Sequence, residues 1–190
     1  MIPALLLLAS VLLFRVAPWL SGAESVRALA GWSPLMALAL CGSAFFPRRW
    51  ALAAGITAVV GPHFVINSLQ GYPLWEPYLP ALMVVVLAVS QLGAALGRKA
   101  PLPAFLGASL LSTALFHLAT NTVSFWSSPD YPAGLAGWIQ AQTTGLPQYS
   151  PATWVFSLRQ LAGDLLFTTA FVLACRPLPA PAAPPRPALA

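Results

Sequence analysis

The sequence predicts an all-α fold: a polytopic membrane helix bundle of about six transmembrane helices. Three observations lead there. Of 190 residues, 58% are hydrophobic and only 7% are charged, whereas a soluble domain carries about 25% charged residues. So few charges cannot clothe a water-facing surface, and a mean hydropathy of +0.77 makes lipid the natural solvent. The apolar residues fall into runs near the roughly 20 residues that a helical span needs. The basic residues cluster at the ends of those runs, as the positive-inside rule requires.

The first span is expected over Ile2 to Leu20, with Arg15 placed to snorkel towards headgroups. Without a basic n-region or a small-residue cleavage site, this run reads as a retained span and not as a signal peptide. A polar stretch, Ser21 to Gly31, leads to Trp32-Ser33-Pro34, which opens a second span ending at Phe46; proline suits a helix start because its missing N–H would have no intrahelical partner. The third span runs from Trp50 to about Asn67, with Gly61-Pro62 inside it as an expected kink. After the aromatic and proline-rich loop from Ser68 to Pro77, the fourth span covers Tyr78 to Gly97 and the fifth covers Pro103 to Ser124. The longest connection, Phe125 to Pro151, is broken by prolines and glycines and holds a mildly amphipathic stretch, 133–144, expected as a short interfacial helix. The sixth span covers Trp154 to Cys175. Residues 1–176 thus form a single transmembrane domain, and the proline- and alanine-rich tail, 177–190, is expected to be disordered.

Arg48 with Arg49, Arg98 with Lys99, and Arg176 with Arg186 all follow even-numbered spans. Both termini are therefore expected in the cytoplasm, and the three longer connections on the outside. Short inner turns and long outer loops point to a pocket that opens outward beneath those loops.

Charged groups at membrane depth cost roughly 2.5–3.5 kcal/mol each on insertion scales, so they mark where function is sought. His117 and Asn121 share a face of the fifth span, four residues apart. The sixth span carries Arg159, Gln160 and Asp164. At about 1.5 Å per residue, Asp164 lies roughly 15 Å, and His117 roughly 10 Å, below the outer ends of their spans. If those spans are neighbours, His117 and Asp164 meet. Either the group lines a ligand pocket, or it is an interhelical polar clamp. His63 and Asn67 repeat the spacing on the third span, so that the strings HFVIN and HLATN look alike. Trp126, Tyr131 and Trp138 sit among aromatics that form either an interfacial belt or a lid over a flat ligand. The candidate ligand-binding residues are His117, Asn121, Arg159, Asp164, Trp126, Tyr131, Trp138 and His63.

Gly93-x-x-x-Gly97 and Ala54-x-x-x-Ala58 are small-residue patterns that bring helices close, within the chain or towards a partner subunit. The sequence has no GxxxxGK[ST] phosphate loop, no HExxH and no serine with an evident base. Cys41 and Cys175 lie inside apolar runs and form no metal spacing. An enzyme is not expected, nor a cofactor, although two histidines on different spans leave a haem or quinone protein as a third reading. The net charge of +5 follows from topology, and nucleic acid is excluded as a partner.

The blocks Trp32-Ser33-Pro34-Leu35 through Gly42-Ser43-Ala44-Phe45-Phe46-Pro47, Phe116-His117-Leu118-Ala119-Thr120-Asn121, Tyr131-Pro132 and Gly163-Asp164 resemble a bacterial family of small membrane proteins defined only as a domain of unknown function. The resemblance extends from Arg15 to about Cys175. That family is similar in layout to the substrate-binding S components of energy-coupling-factor transporters, six-helix vitamin binders whose outer loops close over the ligand. The resemblance implies a multi-pass protein of the bacterial inner membrane. S components dock through an alanine-x-x-x-alanine pattern, usually in the first span; here Ala4 and Ala9 depart from it, and the matching pattern is Ala54 and Ala58 on the third. The expected function is binding or transport of a small molecule through an outward-facing pocket, with a structural or assembly role as the alternative. The expected partners are the lipid bilayer, a small-molecule ligand and a membrane protein.

Overall fold

The computed structural model describes residues 2–21, 31–148 and 151–176. Seven helices and no strand occur among them: α1 (Ile2–Leu20), α2 (Leu35–Phe45), α3 (Arg48–Gln70), α4 (Tyr78–Leu96), α5 (Leu102–Ser127), α6 (Leu135–Gln142) and α7 (Thr153–Cys175). The all-helical class and every expected helix are present. Four of them, α3, α4, α5 and α7, are long and apolar enough to cross a membrane, while α1 and α2 are shorter apolar helices. The tail 177–190, and most of the polar stretch after α1, lie outside the described residues.

The bundle is organised around its shortest apolar helix. All of α2 except Ser43 is buried, and α2 packs against α1, α3, α4, α5 and α7. Its sequence, LMALALCGSAF, is apolar on every side, as a helix surrounded by others must be. Eleven residues span only about 16 Å, roughly half the hydrocarbon thickness. The first turn of α2 therefore starts inside the bundle, where its unpaired N–H groups meet no bulk water.

Glycine permits the closest approach. A Cβ at Gly93 of α4 would overlap the Leu40 carbonyl of α2, so this glycine lets two backbones touch. The second glycine of that pattern, Gly97, ends α4 at φ +65° and serves the turn. At the far end of α2, Phe45 stacks on Phe105 (5.5 Å between centroids) and meets Phe171 edge-on (5.8 Å). These rings join α2, α5 and α7 beside the turns that carry Arg48, Arg49, Arg98 and Lys99, hereafter the basic end. The other end carries the 71–77 connection and α6, hereafter the loop end. Pro62 sits within α3 without ending it; α3 stops at Gly71 (φ +71°), where Tyr72 N–H bonds back to the Asn67 carbonyl.

Candidate functional site

The expected residues separate into three groups. The deepest surrounds Asp164, which is 0% exposed. Its carboxyl Oδ1 accepts the backbone N–H of Ala37 at 3.1 Å. Its Oδ2 accepts from Gln160 Nε2 and from Thr113 Oγ1, both at 2.9 Å. Gln160 also donates to the Ser33 carbonyl at 2.6 Å, bracketing the entry to α2. Thr113 has a second acceptor, the Ser109 carbonyl at 3.1 Å; one hydroxyl proton serves one of the two at a time. α2 has no side-chain cap of its own, because Pro34 precedes it. Asp164, from a helix far along the chain, supplies that cap, and the partial positive charge of a helix N-terminus favours a carboxylate there. Gly163 makes the approach possible: a Cβ there would lie 2.8 Å from the Trp32 carbonyl oxygen.

The second group is at the loop end. His117 Nε2 lies 2.9 Å from the Gln142 carbonyl, so Nε2 carries the proton and donates. Nδ1 is then the acceptor, and it faces Asn121 Nδ2 at 3.0 Å and the Ser157 hydroxyl. Asn121 also donates to the His117 carbonyl at 2.8 Å, and Ser157 can donate instead to the Thr153 carbonyl at 3.0 Å. Trp138 Nε1 and Gln142 Nε2 both reach Thr122 Oγ1, at 3.0 and 3.2 Å. Together these bonds hold α6 down across α5. His117 and Asp164 do not meet: α5 and α7 are neighbours, but their register pairs His117 with Ser157 and Asp164 with Thr113. Equal depth does not bring two side chains together; the rotation of each helix about its axis decides the pairing.

The third group repeats the second on α3. His63 Nε2 donates to the Leu74 carbonyl at 3.0 Å, and Asn67 Nδ2 donates to the Pro73 carbonyl at 2.6 Å. The 3.4 Å contact between Asn67 Nδ2 and His63 Nε2 sets two donors together in that tautomer and adds no bond. His63 and Asn67 thus both bond carbonyls of the connection after their helix, whereas on α5 only His117 does so and Asn121 bonds His117 itself.

The remaining expected residues stand apart. Trp126 is 77% exposed. Tyr131 packs its ring on Phe125 at 6.2 Å. Arg159 is half-buried, with its stem against Gly31, and no ion pair or hydrogen bond to it occurs among the described residues. Sequence reasoning missed Thr113, Ser157 and Gln142; Gln160 was noted, without its role. Apolar neighbours hide the first two, since a serine or threonine in a span ordinarily bonds its own helix backbone.

A cavity of about 380 Å³ opens at the loop end between α4 and α5, lined by Glu76, Pro77, Tyr78, Val123, Ser124 and Ser127. None of the eight expected residues lines it. Among the described residues, no group of three or more His, Cys, Asp or Glu could hold a metal ion.

A family model described as a family of unknown function (DUF6580) matches residues 1–182. The chain belongs to that family. No curated protein matches it, and no solved structure does.

Proposed function

We propose that this family member is a multi-pass protein of the bacterial inner membrane that binds a small polar molecule at its outer face, with the basic end and both termini in the cytoplasm. The observation that carries this reading is the loop-end cavity of about 380 Å³. Glu76, Tyr78, Ser124 and Ser127 all line it; the Tyr78 phenol bonds Arg15 and the Ser124 hydroxyl donates to the Thr120 carbonyl, which leaves the Glu76 carboxyl and the Ser127 hydroxyl for a ligand. Pockets of roughly 300–1,000 Å³ suit small ligands. The positive-inside rule supports the orientation. Arg159 remains a candidate contact, since its charge lacks a partner among the described residues. Asp164, His117, Asn121 and Trp138 already have partners within the fold and serve the site indirectly.

The test is native mass spectrometry of protein extracted gently from its own membrane. A small molecule that co-purifies with the wild type and is lost from Glu76→Gln, with melting temperature unchanged, is the expected result. A stoichiometric protein partner and no small molecule would favour the alternative, a structural or assembly role. That alternative draws its support from the Asp164 network, which is complete without a ligand.

A further inference from the structure

At the basic end a groove of about 410 Å³ lies between α1, α2 and α3, walled by Leu5, Leu8, Leu38, Phe46, Trp50 and Ala54. Only Trp50 and Thr57 bring polar side-chain atoms to it. The guanidinium of Arg49 lies 5.7 Å from the centre of the ring of Trp50, one of the lining residues, within cation–π range. Arg48 stands beside it, exposed, and both open α3, whose N-terminus has no side-chain cap. Among the described residues no carboxylate answers them: Asp164 is enclosed in the core, and Glu76 and Asp130 belong to loop-end connections. Arg98 and Lys99 add two more cations at the basic end.

We infer that this groove is a binding site for an anionic phospholipid, with an acyl chain between α1 and α3 and the headgroup phosphate on the side chains and backbone N–H groups of Arg48 and Arg49, the N–H groups of Trp50 and Ala51 being taken by the Pro47 carbonyl. Each part answers to one part of the lipid. Apolar walls accept the chain, the uncapped N-terminus and paired guanidiniums accept the phosphate, and Trp50 sits at the boundary where indole rings concentrate. Basic pockets between helices are recognised sites for acidic headgroups. A partner helix fits the charge less well, because it would need its own acid at the groove mouth. The inference does not depend on the loop-end cavity.

The experiment titrates the detergent-purified, delipidated full chain with an equimolar mixture of phosphatidylglycerol and phosphatidylcholine and reads bound lipid by native mass spectrometry. The expected preference for phosphatidylglycerol is on the order of tenfold. It falls to about one in R48Q/R49Q and persists in R98Q/K99Q. Ala54→Phe, which fills the groove, reduces retention of both lipids. Thermal melts establish that each variant is folded, and R48K/R49K, which keeps the charge, retains the preference if the glutamine variant does not fold. Equal retention of the two lipids by the wild type would overturn the inference. So would an unchanged preference in folded R48Q/R49Q, displacement of the lipid by soluble glycerol phosphate, or a stoichiometric protein cross-linked at Thr57.

Discussion

Asp164 caps a helix to which it does not belong: its carboxyl oxygen accepts the Ala37 N–H at 3.1 Å, across 127 positions of sequence. The bond joins the last long helix to the first turn of the central one. With Gln160 on the Ser33 carbonyl, it fixes where α2 begins. An ionisable residue in an apolar core is thereby accounted for by a backbone group that has no other partner.

Asp164→Ala removes the acceptor of the Ala37 N–H, while Gln160 and Thr113 keep the Ser33 and Ser109 carbonyls. A buried donor left unpaired costs about 1–3 kcal/mol, so the variant is expected to unfold at markedly lower denaturant or temperature in detergent. Asp164→Asn keeps an acceptor for Ala37 but turns an amide N–H₂ towards other donors, and its loss is expected to be smaller. Thermal melts of the two variants side by side check the order.

Gly163→Ala places a methyl group 2.8 Å from the Trp32 carbonyl oxygen. The backbone has to move, and overpacking of this kind costs about 1–3 kcal/mol. Because the shift also pulls Asp164 from Ala37, the double variant Gly163→Ala/Asp164→Ala is expected to lose less than the sum of the two single losses. A double-mutant cycle measures that coupling; strict additivity would separate the glycine from the cap.

Gly93→Ala tests the contact between α4 and α2 in the same way. Its Cβ meets the Leu40 carbonyl directly, so destabilisation of about 1–3 kcal/mol is expected. Gly107→Ala is the control: nothing lies within 4 Å of its Cβ position, and alanine is the better helix former by about 1 kcal/mol.

His117→Ala and His63→Ala are expected to loosen different connections. The first releases the Gln142 carbonyl and with it α6; the second releases the Leu74 carbonyl. Hydrogen exchange followed by mass spectrometry should show faster exchange at residues 135–142 in the first variant and at 72–77 in the second, with α2 unchanged in both. Acceleration of α2 in either variant would mean that the histidines support the core.

Helix positions were largely legible in the sequence, because apolar runs bounded by proline, glycine and paired cations leave few alternatives in a membrane. The ends of α1, α4 and α7 fall within about two residues of expectation, the ordinary uncertainty of helix ends. The rank of α2 was not legible. As a string, residues 32–46 look like one more span, and only the packing of five neighbours around them reveals a central half-length helix. The site was read in part. The repeated His-x-x-x-Asn spacing was visible, but its partners are carbonyls of Leu74 and Gln142, which have no signature of their own. Asp164 stood out as costly, yet its principal partner is again backbone. Pro34 at the head of α2 was the available hint, since it leaves the helix with no capping side chain of its own.

The cap from Asp164 also imposes an order of events on biosynthesis. The ribosome makes Ala37 127 residues ahead of Asp164, so α2 enters the membrane before the acceptor of its first turn exists. Until the last long helix arrives, the first turn of α2 must borrow water or lipid oxygen for its hydrogen bonds. A nascent chain cut short before Asp164 therefore lacks the acceptor that fixes its centre, and the core closes only once α7 is in place.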